Sequence, residues 1–381
     1  GTSSSFGLLI ILQLTSRGGV AQDVEPRRAR TLVEMPPMRR RPRAAEAVLL
    51  CCTLATSYIS PPRSARPLRR HATPAAATDR PPRQRTTLAN APDRPISSEW
   101  ELDCFSRPVL VDGKKLWELL VTDASGQWRE VVALDSSGVN SVAVREAVEG
   151  VIARAPVKPT VIRFFRRQML NMLTIALGGV ASARPTLRVA PSRATHALYD
   201  WLEERERDVY PAMDGYAASA GAAARDRMTP PVTPARLPEG LRGEQYAFVT
   251  LPLAELRAGG GITQENVGVG KLINVRDDLP PDALLPGVAI LTRRSDALAM
   301  SLASTELSAV RADPTQRQLV LDVALDESFL VAKLNDEQRV EAAGFEKAKT
   351  SLDGLHFVVV QGPDDDGVEP AGFWLLRELT T

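Results

Sequence analysis

Residues 161–169 read "VIRFFRRQM", a stretch in which an extended run gives way directly to a helical one. Such a strand-to-helix corner is typical of mixed α/β folds, so this stretch decides the fold class. Side chains of successive strand residues point to opposite faces of a sheet. Phe164 and Phe165 therefore cannot both face a single core. Two aromatic rings among three arginines raise the question of a binding role.

The residues around this corner predict a first α/β domain over residues 97–210. Asp112-Gly113 marks a hairpin turn between two β-rich runs, and Pro156 and Pro159 close a helix of regular apolar spacing. The predicted elements are strands before and after that turn, strand 128–134, helix 141–154, strand 160–165, helix 167–177 ended by a Gly-Gly break, strand 186–192 and helix 194–209. Three strands, then helix, strand, helix, strand, helix is the element order of a ribonuclease-H-like fold.

A second mixed α/β domain is predicted for residues 241–381, after a Pro- and Ala-rich linker over residues 211–240. Its Gly-rich stretch 259–270 lacks the features of a phosphate loop and predicts a flexible surface loop. The domain begins at "GEQYAFVTLPL". Its other predicted elements are strand 287–291, helix 295–303, a hairpin turning at Asp313-Pro314, strand 328–334, helix 336–351, and final strands "GLHFVVVQ" and "GFWLLREL".

Charge is divided sharply along the 381 residues. Residues 1–96 contain 16 Lys and Arg against 6 Asp and Glu, which leaves 31 basic and 40 acidic residues, of 47 and 46, for the rest. An acidic body argues against broad, non-specific binding to duplex phosphates, so any nucleic-acid site has to be local. No apolar run reaches the roughly 20 residues of a membrane span, which predicts no membrane insertion.

The basic head has the composition of a targeting presequence. "MRRRPRAAEAVLLCCTLATSY" from Met38 resembles a secretory signal, and residues 59–96 have the Arg-rich, acid-poor composition of a plastid transit peptide. This arrangement resembles the bipartite presequence of algae whose plastids lie inside extra membranes. It predicts a disordered presequence over residues 1–96 and a location in the plastid stroma. A disordered basic tail without a targeting role is the alternative.

No catalytic or metal-binding constellation is found in the sequence, and no cofactor is predicted. His71, His196 and His356 are isolated, so packing or hydrogen bonding is the expected role of the last two. Cys104 is expected to be a small buried hydrophobe. A two-metal nuclease site would need Asp103 together with acids such as Glu118, Glu146 or Asp200. The basic strand end at 163–166 opposes such a site, and Asp103 is better explained as a structural acid that pairs with an arginine.

Nine stretches of the body resemble, in the same order, the successive blocks of one family. They are "WELDCFSRPVL", "KKLWELLV", "NSVAVREA", "RFFRRQMLNMLTIAL", "PSRATHALYDWLEER", "LPEGLRGEQYAFVTLPL", "LPGVAIL", "GLHFVVVQ" and "GFWLLREL", which together span residues 98–379. Through these stretches the chain resembles the Tab-type RNA-binding factors of chloroplasts and cyanobacteria. The resemblance implies binding to AU-rich single-stranded RNA in the 5′ leader of the message for a photosystem I reaction-centre subunit, and activation of its translation. It also implies a wider role in making both photosystems.

This resemblance offers an RNA-binding role for the strand-to-helix corner. Bases of single-stranded RNA stack on aromatic rings, and arginines and helix N-termini hold phosphates. We therefore expect RNA contact by a set of seven residues at neighbouring strand ends: Arg163, Phe164, Phe165, Arg166, Arg167, Arg107 and Arg193. The alternative is that the phenylalanines are core and the arginines pair with carboxylates of the body.

A second hypothesis concerns the strand "GFWLLREL", which carries apolar residues on both faces. Phe373 and Leu375 fit one face and Trp374 and Leu376 the other, so both faces have to be covered. A buried central strand is one explanation. A partner-binding edge, for a second copy or another translation factor, is the other.

Three functions follow from these observations. The first is an RNA-binding translation activator without enzymatic activity. The second is a protein-binding assembly factor for photosystem I. The third is a metal-dependent nuclease, which requires Asp103 and two further acids to converge.

Overall fold

The computed structural model describes residues 95–218, 233–363 and 369–379. Residues 1–94, on which the prediction of a disordered targeting presequence falls, lie outside the described residues, as does His71. Pro81–Pro363 and Pro370–Thr381 form one compact unit, which contains almost all of the described chain. The division into two domains at the predicted linker stays a prediction. We refer to residues 95–218 as the N-terminal segment and to residues 233–379 as the C-terminal segment.

The N-terminal segment opens with three antiparallel strands, as predicted. They are β1 (Glu99–Val111), β2 (Lys114–Asp123) and β3 (Arg129–Leu134). Asp112 and Gly113 have φ angles of 50° and 74°, the left-handed values that a two-residue type I′ hairpin turn requires. The predicted hairpin is therefore confirmed.

The rest of the segment alternates helices and strands: α1 (Ser141–Arg154), β4 (Val161–Phe164), α2 (Leu170–Ser182), β5 (Arg188–Pro191) and α3 (His196–Glu204). These strands complete a sheet of order β3-β2-β1-β4-β5, in which β4 is parallel to β1 and β5 is parallel to β4. The mixed α/β class and the predicted element order are confirmed, while the ribonuclease-H-like assignment stays a prediction.

The boundaries of α2 differ from the prediction. Residues Arg167–Met169 form a 3₁₀ turn before α2, and the expected Gly-Gly break lies inside the helix. A Cβ on Gly179 would come within 2.9 Å of the Arg145 side chain of α1. The glycine therefore permits the close approach of two helices instead of ending one.

The C-terminal segment contains two four-stranded sheets, of order β6-β11-β10-β9 and β13-β12-β8-β7. Its strands are β6 (Ala235–Arg236), β7 (Gln245–Pro252), β8 (Leu284–Leu291), β9 (Leu307–Asp313), β10 (Gln318–Val323), β11 (Glu327–Lys333), β12 (Leu355–Gln361) and β13 (Gly372–Arg377). Its helices are α4 (Ser295–Ala303) and α5 (Asp336–Ser351), both with the predicted bounds. Asn335 begins α5 with a capping box completed by Gln338.

Each segment has a core of its own. In the N-terminal segment, Trp100, Leu102 and Cys104 of β1 are fully buried with apolar residues of α1 and α2. In the C-terminal segment, apolar residues of both sheets, such as Val358 and Leu321, form one cluster with α4 and α5. Cys104 is the small buried hydrophobe that the sequence predicted.

Both described ends of the predicted linker are tied to sheets. Tyr216 forms a β-bridge with Val109, and Ala235–Arg236 pairs with β11. The backbone of these ends is therefore hydrogen-bonded, and only the intervening residues 219–232 lie outside the described residues.

Strand β13 lies at the edge of its sheet, and the chain itself covers that edge. The amide of Lys271 donates to the Phe373 carbonyl at 2.9 Å, and the Leu375 amide donates to the Lys271 carbonyl at 2.9 Å. Val267, within the same loop, is fully buried. The prediction of a flexible surface loop over 259–270 is therefore wrong for its last residues, because their backbone supplies the outer hydrogen-bond partners of β13.

Phe373, Trp374, Leu375 and Leu376 are all at most 5% exposed. Both faces of β13 are covered, as the alternation of its apolar residues required, although β13 is an edge strand and not a central one. Partner binding by these four residues stays a prediction, and it would require the Gly-rich loop to leave the edge of β13.

No helix of the described residues is long and apolar enough to cross a membrane.

Gly270→Ala tests the covering of this edge. A Cβ at Gly270 would lie 1.9 Å from the Phe373 carbonyl oxygen, a backbone atom, so the loop has to move away from β13. We expect the free energy of unfolding to fall by about 1–3 kcal/mol, because backbone hydrogen bonds to β13 are lost. Urea unfolding measures this change. Gly344→Ala is the matched control, since a Cβ at that helical glycine meets nothing within 4 Å. An equal change in both variants would contradict the assigned role of the loop.

Candidate nucleic-acid interface

The two phenylalanines of the "VIRFFRRQM" corner are both core residues. Phe164 is fully buried in the cluster beneath α1 and α2, whereas Phe165, at 4% exposure, joins Leu198 and Trp201 of α3 on the other side of the sheet. The sheet is covered on both faces, so each ring has a core to enter. This arrangement answers the question raised by their adjacency.

Arg166 and Arg107 converge on one buried carboxylate. The Nε and Nη2 atoms of Arg166 donate to the two oxygens of Asp103 at 2.6 and 2.9 Å, and Nη1 of Arg107 donates to Asp103 at 2.9 Å. All three side chains are at most 1% exposed. Burial alone would raise the pKa of Asp103, but the charges and hydrogen bonds of Arg166 and Arg107 outweigh burial and lower it. Asp103 is thus the structural acid that the sequence predicted.

A second buried carboxylate, Glu118 of β2, extends this cluster. Nε of Arg107 lies 3.3 Å from Glu118, Nη2 of Arg205 donates to it at 2.8 Å, and the Tyr210 hydroxyl donates to it at 2.7 Å. Three guanidinium groups therefore neutralise two carboxylates away from water. Such a cluster holds β1, β2 and the chain after α3 together.

Two further arginines of the predicted RNA-binding set connect the two segments. Arg163 donates to Glu99 at 2.5 Å and to Glu306 of the C-terminal segment at 2.6 Å. Arg193 donates to the carbonyl of Glu327 at 3.1 Å and lies 3.6 Å from Asp322. Both side chains are 7% exposed.

Arg167 differs from the rest of the set. Its side chain is 46% exposed and pairs with the equally exposed Asp326. Of the seven residues expected to contact RNA, it is the one whose guanidinium reaches solvent. The folded corner matches the alternative derived from the sequence, in which the phenylalanines are core residues and the arginines pair with carboxylates. RNA contact by this set stays a prediction.

The acids that a nuclease would require are not brought together. Asp103 and Glu118 share the arginine cluster, Asp200 pairs with Arg377 at 2.8 Å, and Glu146 is exposed on α1. Among the residues that the structure describes, no group of three His, Cys, Asp or Glu residues is placed to hold a metal ion.

The two described histidines make hydrogen bonds inside the fold, as expected. Nε2 of His356 accepts from the Val310 amide at 2.9 Å, and Nε2 of His196 lies 3.0 Å from the Arg377 carbonyl oxygen. Desolvation, followed by the charge of Arg377, lowers the pKa of His196 to about 3. Both rings are therefore neutral near pH 7.

Glu101 is a buried acid that forms no direct ion pair with the part of the chain that the structure describes. One carboxylate oxygen accepts the Leu198 amide at 2.8 Å, in the first turn of α3. Burial, with a smaller effect of the Asp200 charge, raises the pKa of Glu101 to about 8, despite this hydrogen bond and the charges of Arg163 and Lys271. The pattern that points to this acid is the alternation of Glu99, Glu101 and Asp103 along β1, which puts all three on one face of the sheet.

Comparison with known proteins assigns the family. One family model, "RNA-binding protein Tab2/Atab2 N terminal", matches residues 99–205, and a second, "RNA-binding protein Tab2/Atab2, C-terminal domain", matches residues 225–377. The chain belongs to the Tab2/Atab2 family of RNA-binding proteins. This assignment confirms the resemblance seen in the sequence and the prediction of an RNA-binding protein instead of an enzyme.

Two relatives extend the Tab2/Atab2 assignment over most of the chain. The chloroplastic TAB2 homolog of Arabidopsis thaliana is 33% identical over 288 residues, 74% of this chain and 75% of that protein. The chloroplastic TAB2 homolog of Zea mays is 33% identical over 297 residues, 74% of this chain and 72% of that protein. A solved simian T-cell lymphotropic virus intasome in complex with PP2A regulatory subunit B56 gamma matches 61% of this chain and 78% of that chain at 9% identity. Its TM-score of 0.25 assigns no fold.

Asp103→Asn is expected to destabilise this Tab2/Atab2 protein by about 3–5 kcal/mol, because the buried guanidinium of Arg166 loses the carboxylate that two of its nitrogens bind, and Arg107 is left with Glu118. Urea unfolding of both variants measures the change. Asp326→Asn is the matched control, since it removes the exposed partner of Arg167 and should cost about 1 kcal/mol or less. A similar small loss in both variants would show that the buried cluster contributes little.

Glu101→Gln tests the buried acid through its pH dependence. The folded protein holds this proton up to about pH 8, whereas a glutamate of ordinary pKa, 4.5, releases it earlier. The folded state thus binds more protons in this window, and wild-type stability should fall as pH rises from about 4.5 to about 8. Glutamine has no proton to release in this pH range, so the stability of the variant should not show this decrease. Its side-chain oxygen can still accept the hydrogen bond from the Leu198 amide. The free energy of unfolding of both proteins is measured with urea at pH 5.5, 7 and 8.5. If it changes with pH in the same way in both, the raised pKa of Glu101 is refuted.

Proposed function

We propose that this chain is a plastid RNA-binding protein that binds AU-rich single-stranded RNA in the 5′ leader of a message and activates its translation. Its target messages encode reaction-centre subunits of photosystem I, with those of photosystem II as further targets. The observation that carries the proposal is the match of both Tab2/Atab2 family models, at residues 99–205 and 225–377.

The charge distribution supports a local and selective contact with RNA. Residues 97–381 contain 31 basic against 40 acidic residues, and several of these arginines are already neutralised inside the fold. This acidic balance argues against a broad basic surface for duplex phosphates on residues 97–381. Affinity for single strands then depends on base stacking together with a few cations.

The relatives and the basic head support a plastid location. Both relatives are chloroplastic proteins by name, and residues 1–96 have the composition of a presequence. We place the mature protein in the plastid stroma, in an alga with a bipartite presequence.

The first expected outcome is selective RNA binding by the full chain. An AU-rich single strand should bind more tightly than a GC-rich strand of equal length, and more tightly than the corresponding duplex. The logarithm of the binding constant should fall linearly with the logarithm of salt concentration, with a slope of about −0.7 for each phosphate contacted. Fluorescence anisotropy at four salt concentrations measures both properties.

A translation assay distinguishes the proposed activator from the two alternative functions. Adding the protein to a plastid extract should increase synthesis from a reporter that carries the AU-rich leader, at constant reporter RNA. Loss of the reporter RNA would favour a nuclease instead. An assembly factor would be favoured by two results together. The protein would not bind RNA, and cells lacking it would synthesise photosystem I subunits normally but fail to assemble them.

A further inference from the structure

The hairpin of β1 and β2 projects beyond the rest of the first sheet. Trp117 of β2 pairs with Leu134 at the end of β3 and with Ser106 of β1, and β1 continues five residues further, from Ser106 to Val111. At about 3.3 Å per residue, this extension is roughly 17 Å long. We call its end, with residues Val109–Lys115 and the adjoining Asp214–Ala217, the hairpin tip.

A short strap fixes the far side of the hairpin tip. The Leu110 amide donates to the Gly215 carbonyl at 2.8 Å, and the Ala217 amide donates to the Pro108 carbonyl at 2.9 Å. Gly215 has a φ of +79°, and a Cβ there would lie 2.1 Å from the Leu110 carbonyl oxygen. Glycine is therefore required at this position. The backbone on both sides of Tyr216 is held in place, so its side chain leaves the hairpin tip from a fixed Cα position.

The hairpin tip exposes an aromatic ring beside aliphatic side chains. Tyr216 is 40% exposed, and no other aromatic side chain in residues 95–218, 233–363 and 369–379 reaches this exposure. Val111, which lies on the same face of β1 as Val109, the bridge partner of Tyr216, is 51% exposed, and Leu110 on the opposite face is 40% exposed. The ring and Val111 therefore share one face of the hairpin tip.

Two lysines complete the hairpin tip. Lys115 pairs across the hairpin with Leu110, and Lys114 with Val111. Both are exposed, and the charge of Lys114 also acts on Asp135, the residue that follows β3. The exposed acids Asp112 and Asp214 bring the net charge of the tip close to zero. Attraction of phosphate here is consequently modest, and stacking has to supply most of the affinity.

We propose that the hairpin tip is a contact site for single-stranded RNA, with Tyr216 stacking on a base and Lys114 and Lys115 holding the flanking phosphates. This inference rests on the proposed RNA-binding function and adds the residues that perform it. An exposed aromatic ring with cations near it is an arrangement by which proteins bind unpaired bases. The buried arginines of the "VIRFFRRQM" corner offer no comparable surface, because carboxylates already occupy them.

The test compares full-length variants for binding to a labelled AU-rich strand of about 20 nucleotides. Tyr216→Ala should reduce affinity roughly 5- to 150-fold, the range for the loss of one stacked base, at an unchanged salt slope. Tyr216→Phe keeps the ring and should bind like wild type. Lys114→Ala with Lys115→Ala should make the salt slope less steep by about 1.4, corresponding to two phosphates.

The matched control is Arg339→Ala with Lys347→Ala, which removes two exposed charges from α5 and should leave the slope unchanged. All variants change exposed side chains, and equal urea midpoints would show that they are folded. The basic head is present in every variant, so its contribution cancels in the comparison.

The outcomes separate this inference from the function on which it rests. No RNA binding by wild type would overturn both. Wild-type affinity and salt slope in every tip variant would overturn the inference alone. The inference alone would also be overturned if the salt slope became less steep only in the variant with Arg293→Ala and Arg294→Ala, the exposed pair before α4. Unchanged RNA affinity with altered sedimentation of the tip variants would assign the tip to protein contact instead.

Discussion

The charged inner face of the first sheet is the constraint on which the rest of the structure depends. Strand β1 places the charged Glu99, Asp103 and Arg107 on one face, together with Glu101, whose raised pKa keeps it neutral at pH 7, and its other face is apolar. A buried charge without a partner costs several kcal/mol, so this face has to be covered by groups that neutralise it. Helix α3, the chain that follows it and the C-terminal segment supply that cover. The two segments are therefore held together by charge pairing as well as by apolar contact.

This constraint explains why so many arginines lie inside an RNA-binding protein. Arg166 and Arg107 are held by Asp103, and Arg163 by Glu99 and Glu306. Their planar guanidinium groups form several hydrogen bonds at once, which suits a crowded charged layer. The motif most suggestive of RNA contact thus assembles the fold, and contact with RNA is left to side chains that the fold keeps exposed.

Local features were predictable because short-range physics determines them. The Asp112-Gly113 turn, the capped helix α5 and the alternation of apolar residues in β13 each follow from backbone geometry or from the period of side-chain burial. The errors involved close approach between elements. The glycines inside α2 and the loop against β13 resembled a break and a flexible loop, because the sequence does not show which element lies opposite a glycine.

The sequence by itself determined the family, the mixed α/β class and the order of the elements, since these are encoded in ordered blocks and local periodicity. Only the tertiary structure decided which charges are free. Arg166 lies 63 residues from Asp103, and Arg163 lies 143 residues from Glu306. Whether a cation meets a carboxylate or water depends on such distant pairings, which are set by sheet order and by contact between the segments. A distant backbone pairing likewise brings Tyr216 beside the hairpin tip, about a hundred residues earlier in the chain.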